Sequence, residues 1–199
     1  EGCRQANCTL SGGETAILPE LVRGFDIAGT SVGYVKQKDI IDGTKISEGD
    51  VLIGLKASGP HSNGYTLIRK LFDGDKEIGK QLVEPTRIYV KEVMELVKQI
   101  GVHGIAHITG GGLDNISRIN DNYQYVIDNP LPVLPVFDWL QEKGKIEDKE
   151  MYRTFNMGMG MIIIVNKKDA DESVSILGEH AQIIGSVKNG KGVEHRALQ

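Results

Sequence analysis

Val51-Leu52-Ile53-Gly54-Leu55-Lys56-Ala57-Ser58-Gly59-Pro60-His61-Ser62-Asn63-Gly64-Tyr65-Thr66-Leu67-Ile68-Arg69-Lys70-Leu71-Phe72 is the stretch on which the reading of the fold turns. Val51 to Leu55 is short and apolar, as a buried strand requires, and Leu67 to Phe72 has helix-like apolar spacing. The polar loop Ser58 to Gly64 therefore lies at the carboxyl end of a strand. Ligands bind there in open α/β sheets, and amides at a helix start attract anions. Glycine and proline also set turn geometry, and Ser62 or Asn63 can simply cap the helix, so a structural reading stands beside the ligand one.

Working outward, strands and helices alternate after Asp50. A helix is expected from about Thr86 to Ile100, opened by Pro85 and packing Val90, Val93, Met94, Val97 and Ile100 on a sheet. A strand from His103 to Ile108 follows, then a glycine loop, a helix from Leu113 and a strand over Tyr125 to Asp128. Val136 to Lys143 reads as a helix closed by Gly144, Gly160 to Val165 as a buried strand, and Asp169 to Leu177 as a helix ending at Gly178. Ala181 to Lys188 and Val193 to Ala197 read as strands joined by the turn Asn189-Gly190-Lys191-Gly192. Before Asp50 the pattern is sparser. Asn7 to Leu10 and Ile27 to Val35 are read as strands, and Lys36 to Gly49 as a connection, too little to close a core. The fold class is α/β (α+β): residues 50–199 form one domain of mixed sheet and packed helices, and residues 1–49 are the remainder of another unit and its linker.

The 199 residues, 40% hydrophobic and 25% charged, support a real core, and disorder is excluded. A net charge of −4 argues against a nucleic-acid or anionic-membrane surface and directs attention to small molecules. Cys3 and Cys8 lack the companions of a zinc site and read as ordinary thiols. No apolar run reaches the roughly 20 residues of a membrane span, and no secretory signal is present, so the cytoplasm is the expected compartment. The chain opens on Glu1-Gly2-Cys3 directly in a strand pattern, and a preceding N-terminal portion is expected.

Four loops carry chemistry-bearing groups. In the first, His61 can donate, accept or carry a proton near neutral pH. In the second, His107-Ile108-Thr109-Gly110-Gly111-Gly112, three glycines allow close approach to a phosphate. No Lys-Ser or Lys-Thr follows, so it is no Walker loop, and a tight turn with a structural histidine explains it equally well. The third, Gly12-Gly13-Glu14-Thr15, offers a carboxylate and a hydroxyl suited to hydrated magnesium on nucleotide phosphates, or a merely solvated glutamate. In the fourth, Met151 to Gly158, Arg153 meets either a phosphate or a surface carboxylate, and Asn156 belongs to the same polar set. His103, His180 and His195 are read as surface residues.

In this order the motifs resemble the phosphoribosylformylglycinamidine cyclo-ligases, the aminoimidazole ribonucleotide synthetases of purine biosynthesis. Gly2 to Ala6, Gly12 to Ala16, Ser58 to Tyr65, Glu84 to Val90, His107 to Gly112 and Glu150 to Gly158 carry the resemblance across the chain. It implies two domains, the first binding nucleotide and pairing in a homodimer. It also implies ATP-dependent ring closure of a phosphorylated ribonucleotide with Mg2+. On that reading His61 and His107 are catalytic, and Ser62, Asn63, Thr109, Gly110, Gly111, Gly112, Arg153 and Asn156 bind substrate. Gly12, Gly13, Glu14 and Thr15 hold the nucleotide, with Glu14 toward the metal. Other ATP-dependent activators of the same superfamily, or a ligand-binding module without chemistry, are the alternatives.

Overall fold

In the computed structural model, which describes residues 1–199, the run quoted above becomes strand β1 (Val51–Lys56), the loop, and helix α2 (Tyr65–Leu71). A single turn, α1 (Gly2–Gln5), precedes them. Then follow α3 (Lys76–Leu82), α4 (Val90–Gln99), β2 (Val102–His107) and a 3-10 helix, Gly112–Arg118. The chain continues with β3 (Tyr123–Ile127), α5 (Pro135–Gly144), α6 (Asp148–Thr154) and β4 (Met159–Val165). It closes with α7 (Ala170–Leu177), β5 (Ala181–Asn189), β6 (Gly192–His195) and a 3-10 turn, Arg196–Leu198.

The strands make one mixed six-stranded sheet, in the order β2-β4-β1-β5-β3-β6. All pairs are antiparallel except β3 with β6. β1 runs between β4 and β5, with Ile53 opposite both Ile163 and Ile183. Both sheet faces are covered, which is why β1 and β4 read as continuous apolar runs. Val51, Ile53 and Leu55 pack with Val93 and Leu96 of α4 and Leu177 of α7. On the opposite face Leu52, Ile162 and Ile164 pack with Leu113 and Ile116. A third cluster joins Ile68, Phe137, Leu140, Met151 and Phe155 of α2, α5, α6 and its end.

The sequence expectations need five corrections. Residues 7–36 contain no strand: a strand is completed by a neighbour's backbone, and none lies alongside this segment. β5 and β6 are not paired across Asn189 to Gly192, because β1 and β3 already occupy both edges of β5. The helix expected from Thr86 begins only at Val90. Ser58 Oγ donates to the Pro85 carbonyl at 2.7 Å and accepts the Arg87 N–H at 3.1 Å, so Pro85 to Tyr89 is held in tertiary bonds instead. On α4, Val93, Leu96 and Ile100 are buried, whereas Val90 and Met94 face outward. Finally, two of the three histidines assigned to the surface are not there. His103 Nδ1 contacts the buried Asp50 carboxylate at 2.7 Å, and His195 is buried, while His180 is exposed as expected.

Candidate functional site

The carboxyl ends of β1 and β2 and the start of β4, which runs between them in the opposite sense, meet at one end of the sheet. Three rings gather there. His61 lies 5.8 Å from His107 and 6.3 Å from Tyr89 between ring centroids, and Tyr89 lies 6.1 Å from His107. Gly160 makes the room: a Cβ there would stand 1.9 Å from the Tyr89 hydroxyl and 2.7 Å from His61 Cε1. The loops read as separate motifs are thus adjacent. Asn63 Oδ1 accepts the Gly110 N–H at 2.9 Å and ties the Ser58–Gly64 loop to the glycine loop.

His61 is buried and has φ +57°, a conformation rare for a residue with a side chain. Its Nε2 accepts the Ser58 N–H at 3.3 Å, so the proton of the neutral ring sits on Nδ1, which is buried without a protein partner. Burial, then the neighbouring His107 and Arg87, lower the His61 pKa to about 4. Burial likewise lowers that of His107. Both rings are neutral near pH 7, and the acceptor nitrogen of His61 is engaged by the Ser58 N–H. Tyr89 donates to the Lys56 carbonyl at 3.0 Å, and burial raises its phenol well above the usual range. Arg87 lies over the Tyr89 ring at 5.0 Å, bonds the same carbonyl at 3.0 Å and pairs with Glu92 at 2.8 Å.

The glycine loop is shaped by contact. Gly112, at φ +55°, could not carry a Cβ, which would fall 1.8 Å from the Tyr152 carbonyl oxygen. Its N–H bonds the Thr109 carbonyl, and Thr109 Oγ1 and N–H both donate to Asn115 Oδ1, at 3.1 and 2.7 Å. With the Gly110 amide on Asn63, Gly111 is the amide left over, and Arg118 Nη2 lies 3.0 Å from where its Cβ would be. Arg118 is exposed, and it, Tyr89 and Arg87 were all missed from sequence. Arg87 and Tyr89 stand in a quoted motif, but only the bonding to Lys56 shows their purpose.

Ser62 Oγ lies 3.3 Å from Thr86 Oγ1 at the exposed rim. Neither Ser62 nor Asn63 caps α2, whose N-cap is Gly64. Asn156 is buried, donating to the Gly59 carbonyl at 2.9 Å and accepting the Gly158 N–H at 2.9 Å, so it braces the loop. Arg153 is exposed and forms no ion pair. Gly12, Gly13, Glu14 and Thr15 are exposed, and the hollow beside Glu14 and Thr15 is lined only from residues 14–28, away from the histidines. No three His, Cys, Asp or Glu side chains converge as a metal cage. The larger hollows lie elsewhere, among them a groove of about 870 Å³ along α4. The histidine site is an open shelf at the sheet end.

The mixed α/β fold of this domain has known counterparts. Residues 47–197 match the family described as AIR synthase related protein, C-terminal domain. The chain belongs to that family. Among solved structures it is similar to the E. coli hydrogenase maturation protein HypE, with a TM-score of 0.57 and 22% identity over 76% of this chain and 47% of that one. A structure of HypE in complex with ATP matches with a TM-score of 0.54 and 20% identity, over 74% of this chain and 44% of that one. Thiamine monophosphate kinase from Aquifex aeolicus matches with a TM-score of 0.53 and 16% identity, over 77% and 51%. The chain thus spans about half the length of these relatives, and the likeness is one of fold. No helix is long and apolar enough to cross a membrane.

Proposed function

We propose that this site performs the ATP-dependent closure of formylglycinamidine ribonucleotide to aminoimidazole ribonucleotide. The observation that carries the reading is the junction of the two loops, with Asn63 bonded to Gly110 and two neutral histidines 5.8 Å apart beside them. In the reaction the γ-phosphoryl of ATP passes to the substrate amide oxygen, releasing ADP. The internal nitrogen then attacks that carbon, inorganic phosphate leaves with the oxygen, and the nitrogen loses a proton. His61, with His107 second, is assigned the proton. Ser62, Asn63, Thr109, the Gly111 amide and Arg118 are assigned to the substrate and its phosphate, since a guanidinium beside a free amide matches a phosphate's acceptors. Arg153 is assigned to the rim. Holding the two ends of one molecule in reach is itself a large part of such catalysis.

Residues 1–49 are proposed to belong to a nucleotide-binding unit that pairs in a homodimer, with Gly12 to Thr15 on the ATP side and Mg2+ brought by the nucleotide. The proposed compartment is the cytoplasm. A second reading, ligand binding without chemistry, is favoured by the exposed position of Gly12 to Thr15 apart from the histidines. The test is to incubate the full chain with ATP, Mg2+ and formylglycinamidine ribonucleotide, following ADP release and the ring product by mass spectrometry. Ring product in step with ADP supports the cyclo-ligase reading. Substrate binding without ADP supports the second, and ADP release indifferent to this substrate points to another activator of the superfamily.

A further inference from the structure

The single turn α1 ends in a way that brings two sulfurs together. Asn7, just beyond it, takes a left-handed backbone angle, φ +51°, and its N–H bonds the Arg4 carbonyl at 3.3 Å, while the Cys8 N–H bonds the Cys3 carbonyl at 2.9 Å. These two bonds are those of a Schellman motif, in which the residue after the left-handed one commonly packs its side chain on the residue whose carbonyl it bonds. Apolar side chains ordinarily make that contact, and here both positions are cysteine. With the 2.9 Å bond in place, bond lengths alone hold the two Cα atoms within about 7 Å, the limit beyond which a disulfide cannot close. Both thiols are free and reachable, Cys8 exposed and Cys3 half-buried. Desolvation, then the Cys3 thiol beside it, raises the Cys8 thiol above its ordinary value. No third His, Cys, Asp or Glu joins the pair as a metal cage would require.

We propose that Cys3 and Cys8 form a redox site that closes reversibly to an internal disulfide by exchange with a small organic disulfide of the glutathione type. The Cys8 thiolate attacks one sulfur of that disulfide, whose S–S bond breaks, and the departing thiolate takes up a proton and leaves a mixed disulfide on Cys8. The Cys3 thiolate, held against it by the turn, then attacks the Cys8 sulfur, forms the internal bond and expels the second small thiol. In sum the two protein thiols give up two electrons and two protons, and the small disulfide is reduced to two thiols. Because the resting Cys8 keeps its proton, the first step is slow and closure answers to the supply of oxidant. The closed bond fixes the turn that leads into Gly12 to Thr15.

The test is to equilibrate the full chain with oxidised glutathione at a fixed, low-millimolar level of reduced glutathione, quench with acid and read the intact mass without reductant. The parent is expected to lose two hydrogens and carry no glutathione. Half conversion should need roughly tenfold less oxidised glutathione than Cys3→Ser or Cys8→Ser needs to reach its mixed disulfide, since the second thiol is supplied at a high effective concentration. Asn7→Gly, which keeps the left-handed angle, should close as the parent does. Asn7→Val, which disfavours that angle and leaves both thiols in place, should need several-fold more oxidant. Glutathione persisting on both cysteines of the parent, half conversion at the same ratio in the parent and the serine variants, disulfide-linked dimers in place of the internal bond, or closure of Asn7→Val as ready as that of the parent would each overturn the proposal.

Discussion

His61 holds a left-handed backbone angle, a buried ring and a proton on Nδ1 with no protein acceptor, and each of these costs stability. Burial keeps the ring neutral in the folded protein down to about pH 4, whereas in the unfolded chain it takes a proton near its ordinary 6.5. The unfolded state therefore gains the proton first. Stability from this group is complete above about pH 6.5 and is lost as the pH falls through 4, by roughly 2–3 kcal/mol. His61→Asn should flatten that part of the unfolding profile between pH 4 and 7, since asparagine accepts the positive φ and does not titrate. His107 and His195, also lowered, will leave a residual slope. An unchanged profile would remove burial of His61 as the cause. In the proposed reaction, the same substitution should slow ring closure by on the order of a hundredfold to ten-thousandfold while nucleotide binding stays close to that of the parent. Glu14→Ala should instead raise the ATP and Mg2+ requirement. Kinetics with ATP and substrate varied separately distinguish the two, and turnover left intact in the His61 variant would transfer the role to His107.

At the level of elements, the site depends on how the Ser58–Gly64 loop is held between β1 and α2. Asn156 supplies the brace from the far side, bonding the Gly59 carbonyl and the Gly158 amide from a buried position. Asn156→Ala strands two buried backbone groups and should cost about 2–4 kcal/mol, read as a lower urea midpoint at unchanged slope. A loss under about 0.5 kcal/mol would mean that water takes over both bonds. This brace also marks what sequence could and could not give. The long apolar runs of β1 and β4 and the capped pattern of α7 were legible because burial on both faces and a terminal glycine leave strong local signals. The seven-residue helices α3 and α6 were not, since Lys76, Glu77 and Lys80 in one and Asp148, Lys149, Glu150 and Arg153 in the other leave too few apolar positions to show a period. Asn156 was noticed only as a polar neighbour of Arg153, because its partners lie 97 residues away and at the next turn. Asn63 and Gly110, which join the Ser58 and Gly110 loops, stand 47 residues apart, so no local signal pairs them. The bonds of Asn63, which put one glycine amide out of a ligand's reach, required coordinates.

Across the whole molecule, burial is divided unevenly. The three core clusters draw on residues from Ile46 onward, with only Ile41 touching them from the preceding segment. Before it Leu10, Ile17, Leu21, Phe25, Ile27, Val32 and Tyr34 are each more than three-quarters exposed. So much contiguous apolar sequence in water is characteristic of an interface or an aggregation site. It also lies next to an open groove, where Tyr34, Val35 and Ile40 face Met94 and Val97 of α4. If the core is complete without the segment, residues 37–199 should fold alone, unfolding in one cooperative transition within about 1 kcal/mol of the full chain. If the segment is the adhesive part, the full chain should sediment as larger species with rising concentration while residues 37–199 stay monomeric. Phe25→Asp with Val32→Asp in the full chain should have the same effect as deletion, because two buried, unpaired charges oppose any apolar contact. Sedimentation velocity of the three proteins at matched concentrations decides the matter. Association that survives both the deletion and the aspartates would place the contact on the sheet edge β2 or β6, whose outer backbone groups have no strand partner.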